Sequence, residues 1–324
     1  MKELGFEALR RWTSRGLRLS TAGGSALRSM DDTNSFTLLV RRALELTSAR
    51  SAADIGCGCG IPTIEAAAGG ARQVLGVDID ATNVKLARSN VLRANFGDRI
   101  ELRCADWIHA LRGASPELIV TNPPYVPQGV HPAVDGGADG ADAIRAIVDM
   151  VPDTARHLAL LFGSISNPLA VLRHLDERGW QICWLAGHVV PFGRYTRQPV
   201  TLAALRRLKL AERAWFHETP AGSRDVQRKY IVFGALATRS AASTSLEDAV
   251  AGLLTRFQRA GIPGLEGAAL PVPVECRVYR AALAGPAPRA VAKVIAPGGL
   301  RRVAAATCEP LPNGRGDELV ATDA

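Results

Sequence analysis

Between residues 51 and 238 the chain alternates short, uninterrupted apolar runs with segments whose apolar positions recur every three or four residues. The runs fall at 51–55, 73–77, 100–104, 118–121, 158–162, 181–189 and 230–235, and the periodic segments at 62–68, 82–94, 139–150 and 168–178. Apolar runs that do not alternate with polar residues suit strands covered on both faces. Their succession with amphipathic helices predicts an α/β fold with a mostly parallel sheet. The last two runs lack a crossover pattern of the earlier kind, which predicts a terminal antiparallel pair. Between them lies an insertion, 191–223, with a helix expected at 200–213 and Leu202, Leu205, Leu208 and Leu210 on or near one face. It reads first as a solvated amphipathic helix and second as a ligand clamp. The division that follows is a helical N-terminal segment at 1–50, a central domain at 51–240 and a C-terminal extension at 241–324. The extension is rich in Pro, Gly and Ala; it begins with a linker at 240–245, a helix at 246–260 and a strand-like run at 272–279.

Composition narrows the class. With 47% hydrophobic and 22% charged residues the 324-residue chain is globular in type. No apolar run reaches the roughly 18 residues of a membrane span, and the start has no signal-peptide core, so the expected compartment is the cytoplasm and no membrane is involved. The six cysteines form no Cys-x-x-Cys pair; Cys57 and Cys59 bracket a glycine, poor spacing for a metal, and no metal is expected. The net charge of +8 is spread along the chain without a dense basic tract. It permits a nucleic-acid partner without arguing for one.

The chemistry sits at the ends of the first four strands. Asp54-Ile-Gly56-Cys-Gly58-Cys-Gly60 follows the first strand and opens a helix, where glycines let the backbone turn tightly and approach a ligand. Asp78, ending the second strand about 20 residues on, is placed to accept from ribose hydroxyls, which together imply a nucleoside-containing cofactor. After the third strand come Asp106 and Trp107, an acceptor for an adenine amino group and a cover for its ring, although Asp106 alone reads as a helix N-cap. After the fourth comes Asn122-Pro-Pro-Tyr125. Its prolines fix the backbone and remove two donors. That leaves carbonyls, with the Asn122 side chain, to accept from an incoming NH2, and Tyr125 to offer a flat face. An amide or aromatic amine nitrogen is a poor nucleophile because its lone pair is delocalised; accepting both N–H bonds localises and aims it.

In this order of motifs (DIGCGCG, VDID, ADW, NPPY) the chain resembles class I S-adenosylmethionine-dependent N-methyltransferases, and within them the HemK/PrmC glutamine N5-methyltransferase group. Asp32-Thr33 and Thr37 to Val40 resemble the segment that precedes the cofactor domain in that group. His131 to Gly140 with Arg145 and Ile147 resembles its Gly-Gly-x-Asp-Gly stretch. Phe162-Gly163, Val171, Leu175 and Gly179 resemble its next strand and helix. The resemblance runs over roughly residues 30–185. It implies a Rossmann-like, mostly parallel, seven-stranded sheet and S-adenosyl-L-methionine as cofactor. It also implies backbone contact from Gly56, Gly58 and Gly60; Asp54 supporting the loop or the methionine amino group; Asp78 at the ribose; Asp106 and Trp107 at the adenine; and Ile79 and Asn122 among the cofactor contacts. Asn122, the Pro123 carbonyl and Tyr125 would hold the acceptor, an amide or amine nitrogen of a small molecule or a protein glutamine. The chain departs from the release-factor enzymes in the short segment before the match, in the insertion and in the extension. Two other readings stand beside this one. The first is an adenine-N6 methyltransferase of DNA or RNA, since a flipped base presents the same NH2. The second is a non-catalytic cofactor-binding scaffold, against which the intact NPPY weighs.

Overall fold

A computed structural model describes residues 30–107, 109, 111–219, 227–239, 246–265, 274–278, 291–296 and 299–301. The expected linker at 240–245 and the last residues of the insertion lie outside this set.

The chain opens with helix α1, Met30–Thr47, followed by β1 (Ser51–Ile55), α2 (Ile61–Ala68), β2 (Gln73–Asp78), α3 (Ala81–Arg93), β3 (Ile100–Cys104) and β4 (Leu118–Thr121). Then come α4 (Asp142–Met150), β5 (His157–Gly163), α5 (Pro168–Glu177), β6 (Trp180–Pro191), α6 (Pro199–Leu210), β7 (His217–Glu218) and β8 (Arg228–Arg239). The remainder is α7 (Glu247–Ala260), a 3-10 turn at Ile262–Leu265, and strands β9 (Val274–Val278), β10 (Val291–Ala296) and β11 (Gly299–Arg301).

The strands form one sheet in the order β11-β10-β9-β6-β8-β5-β4-β1-β2-β3, with β7 paired to β8. Strands β1 to β5 are mutually parallel, and β8 runs antiparallel to both β5 and β6. The expected terminal antiparallel pair is therefore present. The sheet exceeds the seven strands of the sequence reading: β9 adds to β6 in parallel and carries β10 and β11, so part of the 241–324 segment extends the sheet itself. The apolar pattern there is short and broken by Pro and Gly, which is why it shows so weakly in the sequence.

From β1 the chain steps outward to β2 and β3, whereas β4 leads the other way to β5. Right-handed crossovers in opposite directions put α2 and α3 on one face and α4 on the other. Helix α1 joins the first face, packing on α2 and on β5, β6 and β8, while α5 packs with α4 and α7. Its pattern explains this: Phe36, Leu39, Val40, Ala43 and Leu44 recur at helical spacing and are all buried. Arg41 reaches from α1 to the buried Glu65 of α2 at 3.1 Å. In the sheet centre Leu118, Ile119 and Val120 are fully buried on both faces, as an unalternating run requires.

Helix α4 starts at Asp142, later than the sequence pattern implied, because Gly137 and Gly140 hold positive φ and keep 136–141 out of the helix. Helix α6 ends at Leu210, with Glu212 in the left-handed region at φ 53. Of its four leucines, Leu205 is buried but Leu210 is 88% exposed, so Leu210 does not belong to the packed face.

Leu39 is 1% exposed and lies against Gly234 of β8, where the absence of a side chain lets the helix come close. Leu39→Ala is expected to lower the unfolding free energy by about 3 kcal/mol in urea titrations, because the cavity opens between helix and sheet.

Candidate active site

The carboxyl ends of β1 and β4 lie side by side, registered from Ala52 opposite Leu118 to Ile55 opposite Thr121, at the point where the crossovers diverge. An open α/β sheet holds its ligand in the crevice above such a point. The four sequence motifs all lie at this carboxyl edge, at the ends of β4, β1, β2 and β3 in sheet order.

The glycine loop leaves β1 through Gly56 and Cys57, whose N–H groups both donate to the Val77 carbonyl at 2.8 and 2.9 Å, tying the loop to β2. Gly56, Gly58 and Gly60 all have positive φ (80, 54 and 80°). A Cβ on Gly56 or Gly58 would meet nothing within 4 Å, so both face open space, whereas one on Gly60 would meet the Ala87 Cβ at 3.0 Å. The first two glycines therefore expose backbone to a ligand and the third serves packing of α2 against α3. Asn90 of α3 donates to the Cys59 carbonyl at 2.8 Å and steadies the same turn.

Asp78 is the hub of the cofactor side. Its carboxylate accepts from the Gly58 N–H at 2.8 Å, the Asp80 N–H at 2.9 Å and the Asn83 amide at 3.2 Å. It is 8% exposed and faces the loop rather than solvent. Ile79 beside it is 74% exposed, just past the last register step of β2 and β3, Asp78 opposite Cys104. Asp106 Oδ1 accepts from the His109 N–H at 3.0 Å and lies 3.0 Å from His109 Nδ1, so it does cap the following turn. Trp107 is half-buried and packs against the core.

On the acceptor side, Asn122 Oδ1 is buried and has no hydrogen-bond partner among the described residues. No described N–H bonds to the Asn122 or Pro123 carbonyls. Tyr125, expected to offer a flat face, is held from behind. It is 4% exposed, with its hydroxyl 3.2 Å from that of Tyr230 on β8 and hydrogen-bonded to Asp32 of α1. Burial, reinforced by the charge of Asp32, raises its pKa well above the usual phenol value. The ring is gripped at its far end and packs against Gly163, where a Cβ would stand 3.1 Å from the ring.

The Gly-Gly-x-Asp-Gly stretch works as a brace for this clamp. A Cβ on Gly136 or Gly140 would run into the Tyr125 backbone, at 2.8 Å from its Cα and 2.6 Å from its carbonyl oxygen respectively. Asp139 holds the loop by accepting from the Ala141 N–H, from Arg145 and from the Asn167 amide at 2.7 Å. These hydrogen bonds keep the Asp139 carboxyl below its usual range although burial pushes the other way. The sequence carries no signal for Asn83, Thr63 or Tyr230, none of which sits in a motif, and for Asp32 only its place in a resembling segment; Tyr230 lies 105 positions from the residue it holds.

Asp54 lies beneath the glycine loop, fully buried. Its Oδ2 accepts from the Thr63 hydroxyl at 2.6 Å, and its Oδ1 has no partner among the described residues. Burial raises its pKa to about 7; the Thr63 hydrogen bond works against that and the charge of Asp78 adds to it. Cys57 and Cys59 are pushed up by the same burial and by the two carboxylates, so neither is a ready thiolate. The orphaned acceptor of Asp54, the open space above Gly56 and Gly58, Asp78 and the exposed Ile79 together fit a nucleoside-bearing cofactor that also carries a cation.

A carboxyl whose folded pKa is raised favours the fold most while it is protonated in both states, and that advantage is lost as pH rises through the folded value. Against Asp54→Asn, which keeps an acceptor for Thr63 and cannot ionise, wild-type protein should lose stability between pH 5 and pH 7 by up to ~1.4 kcal/mol per pH unit and then level off. Paired thermal or urea unfolding at stepped pH reads this directly.

Comparison with known proteins agrees with this geometry. Residues 25–134 match the sequence profile of the family described as methyltransferase small domain. A release factor glutamine methyltransferase of Bradyrhizobium diazoefficiens is 34% identical over 146 residues, covering 37% of this chain and 46% of that protein. A ribosomal protein uL3 glutamine methyltransferase of Bordetella pertussis is 35% identical over 127 residues, covering 36% and 40%. A tRNA1(Val) (adenine(37)-N6)-methyltransferase of Phocaeicola vulgatus is 38% identical over 81 residues, covering 25% and 35%. The chain thus spans less than half the length of these relatives. Residues 25–134, which hold the Gly-rich loop and the NPPY clamp at the ends of the neighbouring strands β1 and β4, are thus the part of the chain that is similar to the methyltransferase small domain.

Proposed function

We propose that the chain is an S-adenosyl-L-methionine-dependent N-methyltransferase of the HemK kind, acting in the cytoplasm on a planar amide nitrogen, that of a protein glutamine side chain. The observation that carries this reading is the buried Asn122 oxygen without a partner, set between two prolines and a strand end. A buried acceptor left unsatisfied costs about 1–3 kcal/mol. At a strand end facing a glycine-rich loop, that cost is recovered when a donor arrives. An NH2 group brings two N–H donors, one for Asn122 Oδ1 and one for the Pro123 carbonyl. Names of relatives that carry glutamine methylation support the same acceptor, and among the described residues no helix is long and apolar enough to cross a membrane.

In this reading the cofactor supplies a methyl group on a positively charged sulfur, an electrophile already activated. The residues of the chain then have to bind and aim. Gly56 and Gly58 offer backbone to the cofactor, Asp78 the lone-pair capacity left for a ribose hydroxyl, and Ile79 an apolar surface for the adenine, with Asp106 and Trp107 closing that end. Asp54, half satisfied by Thr63, supports the loop from below with an acceptor in reserve. Asn122 and the Pro123 carbonyl take both protons of the acceptor amide and so localise its lone pair. Tyr125, anchored by Tyr230 and Asp32, sets the angle of the clamp. Positioning and hydrogen-bond acceptance carry such a reaction further than a strong base does.

The same clamp would receive an adenine amino group, and the shared segment with a tRNA adenine-N6 methyltransferase gives that second reading a specific footing. Transfer of labelled methyl to a glutamine-bearing protein fraction, offered in parallel with tRNA and duplex DNA, separates the two. Label in protein, on the amide by mass, is the expected result; label in nucleic acid alone replaces this reading by the second.

Asn122→Ala should lower kcat by roughly 100- to 1,000-fold, the size seen when one aimed hydrogen-bonding group is removed from a reacting centre. Cofactor affinity by calorimetry should stay within about threefold, since the lost atom faces the acceptor. A variant that keeps its kcat takes the acceptor role away from Asn122.

A further inference from the structure

The insertion between β6 and β8 is bound by topology to the site. Strand β6 runs parallel to β5 and β8 runs against both, so the end of β6 and the start of β8 lie at the carboxyl edge of the sheet, where the glycine loop and NPPY stand. The contacts agree. Phe192 packs edge-on to Tyr230 at 5.8 Å, and Tyr230 holds Tyr125. Tyr195 lies 6.1 Å from His131 in the loop that follows NPPY. Helix α6 docks on that loop through the Thr201 hydroxyl on the Gln128 carbonyl at 3.1 Å and Arg207 on the Gln128 side chain at 3.4 Å.

The outer surface of this docked segment is basic. Arg194, Arg197, Arg206 and Arg213 are exposed and form no ion pair among the described residues. In 193–213 the sole acid is Glu212. Apolar side chains are exposed alongside: Val200 at 49% and Leu210 at 88% on α6, and Val130 at 52% on the NPPY loop. Arginine forks match carboxylates or phosphates alike. Phosphates, however, gain nothing from aliphatic neighbours, and recognition of single-stranded RNA leans on aromatic platforms, of which Tyr195 alone stands among these arginines. A polypeptide brings carboxylates and aliphatic groups together.

We infer that residues 193–213 form a docking platform for the protein that bears the acceptor, and that the platform takes an acidic, leucine-bearing segment close to the methylated amide. This rests on the proposed reading of the site and adds the character of its substrate.

The test measures binding apart from chemistry, on the full chain. The probe is a short fluorescein-labelled peptide of glutamate, leucine and one glutamine, followed by anisotropy at low and moderate salt. Arg194→Glu with Arg197→Glu and Arg206→Glu should weaken its binding by at least about tenfold, from three charge contacts near the rim of an interface. The matched reversal of Arg50, Arg72 and Arg156, at the amino edge of the strands, should leave it unchanged. Val130→Ser with Val200→Ser should weaken it without altering the salt dependence. Cofactor affinity, measured in parallel, should be equal in all variants; its absence in every protein, wild type included, would count against the methyltransferase reading and not against the platform. Equal peptide binding by wild type and the first variant overturns the platform, as does binding of poly(U) RNA that the first variant loses while the peptide does not bind.

Discussion

The Thr121 hydroxyl donates to the Ile55 carbonyl at 3.0 Å, across the last register step of β1 and β4. That bond closes the two strands at the height where each releases its loop. One loop carries the glycines that turn back toward β2, and the other carries the prolines that run toward α4. Everything the site does depends on these two loops facing each other at fixed separation. The fully buried run Leu118 to Val120 and the buried Ala52 and Ala53 pack the pair of strands into the centre of the core. A site built on the ends of such strands inherits their precision.

Around that frame, the polar groups of the two loops divide into those spent on the fold and those with capacity left. Asp139 is saturated by Arg145, Asn167 and a backbone N–H, and it does structural work under the clamp. Asp54 and Asn122 each keep an oxygen with no partner among the described residues. The same asymmetry distinguishes Tyr125, whose hydroxyl is consumed by Tyr230 and Asp32 so that the ring cannot swing away from the clamp. The insertion builds outward from there, since Phe192 and α6 rest on the residues that hold Tyr125 and the NPPY loop.

Much of this was legible in the order of residues. The strand and helix periods, the Asp-x-Gly-x-Gly-x-Gly turn, the carboxylate at the end of the second strand and the NPPY run are local signals, each written within a few consecutive positions. A parallel strand buried on both faces is apolar throughout, and a turn at positive φ favours glycine, so sequence alone determined the α/β class and the loops at the strand ends. The tertiary structure decided which of those residues remain available. Asp106 turned out to cap its own turn, Tyr125 to be held from behind, and Leu210 to stand in solvent. It also decided the partners supplied from far along the chain: Thr63 for Asp54, Tyr230 and Asp32 for Tyr125, β9 for the open edge of β6. Such pairings have no period and no fixed spacing. They arise from the meeting of surfaces brought together only when helix, sheet and insertion close on one core, and a linear pattern carries no trace of that meeting.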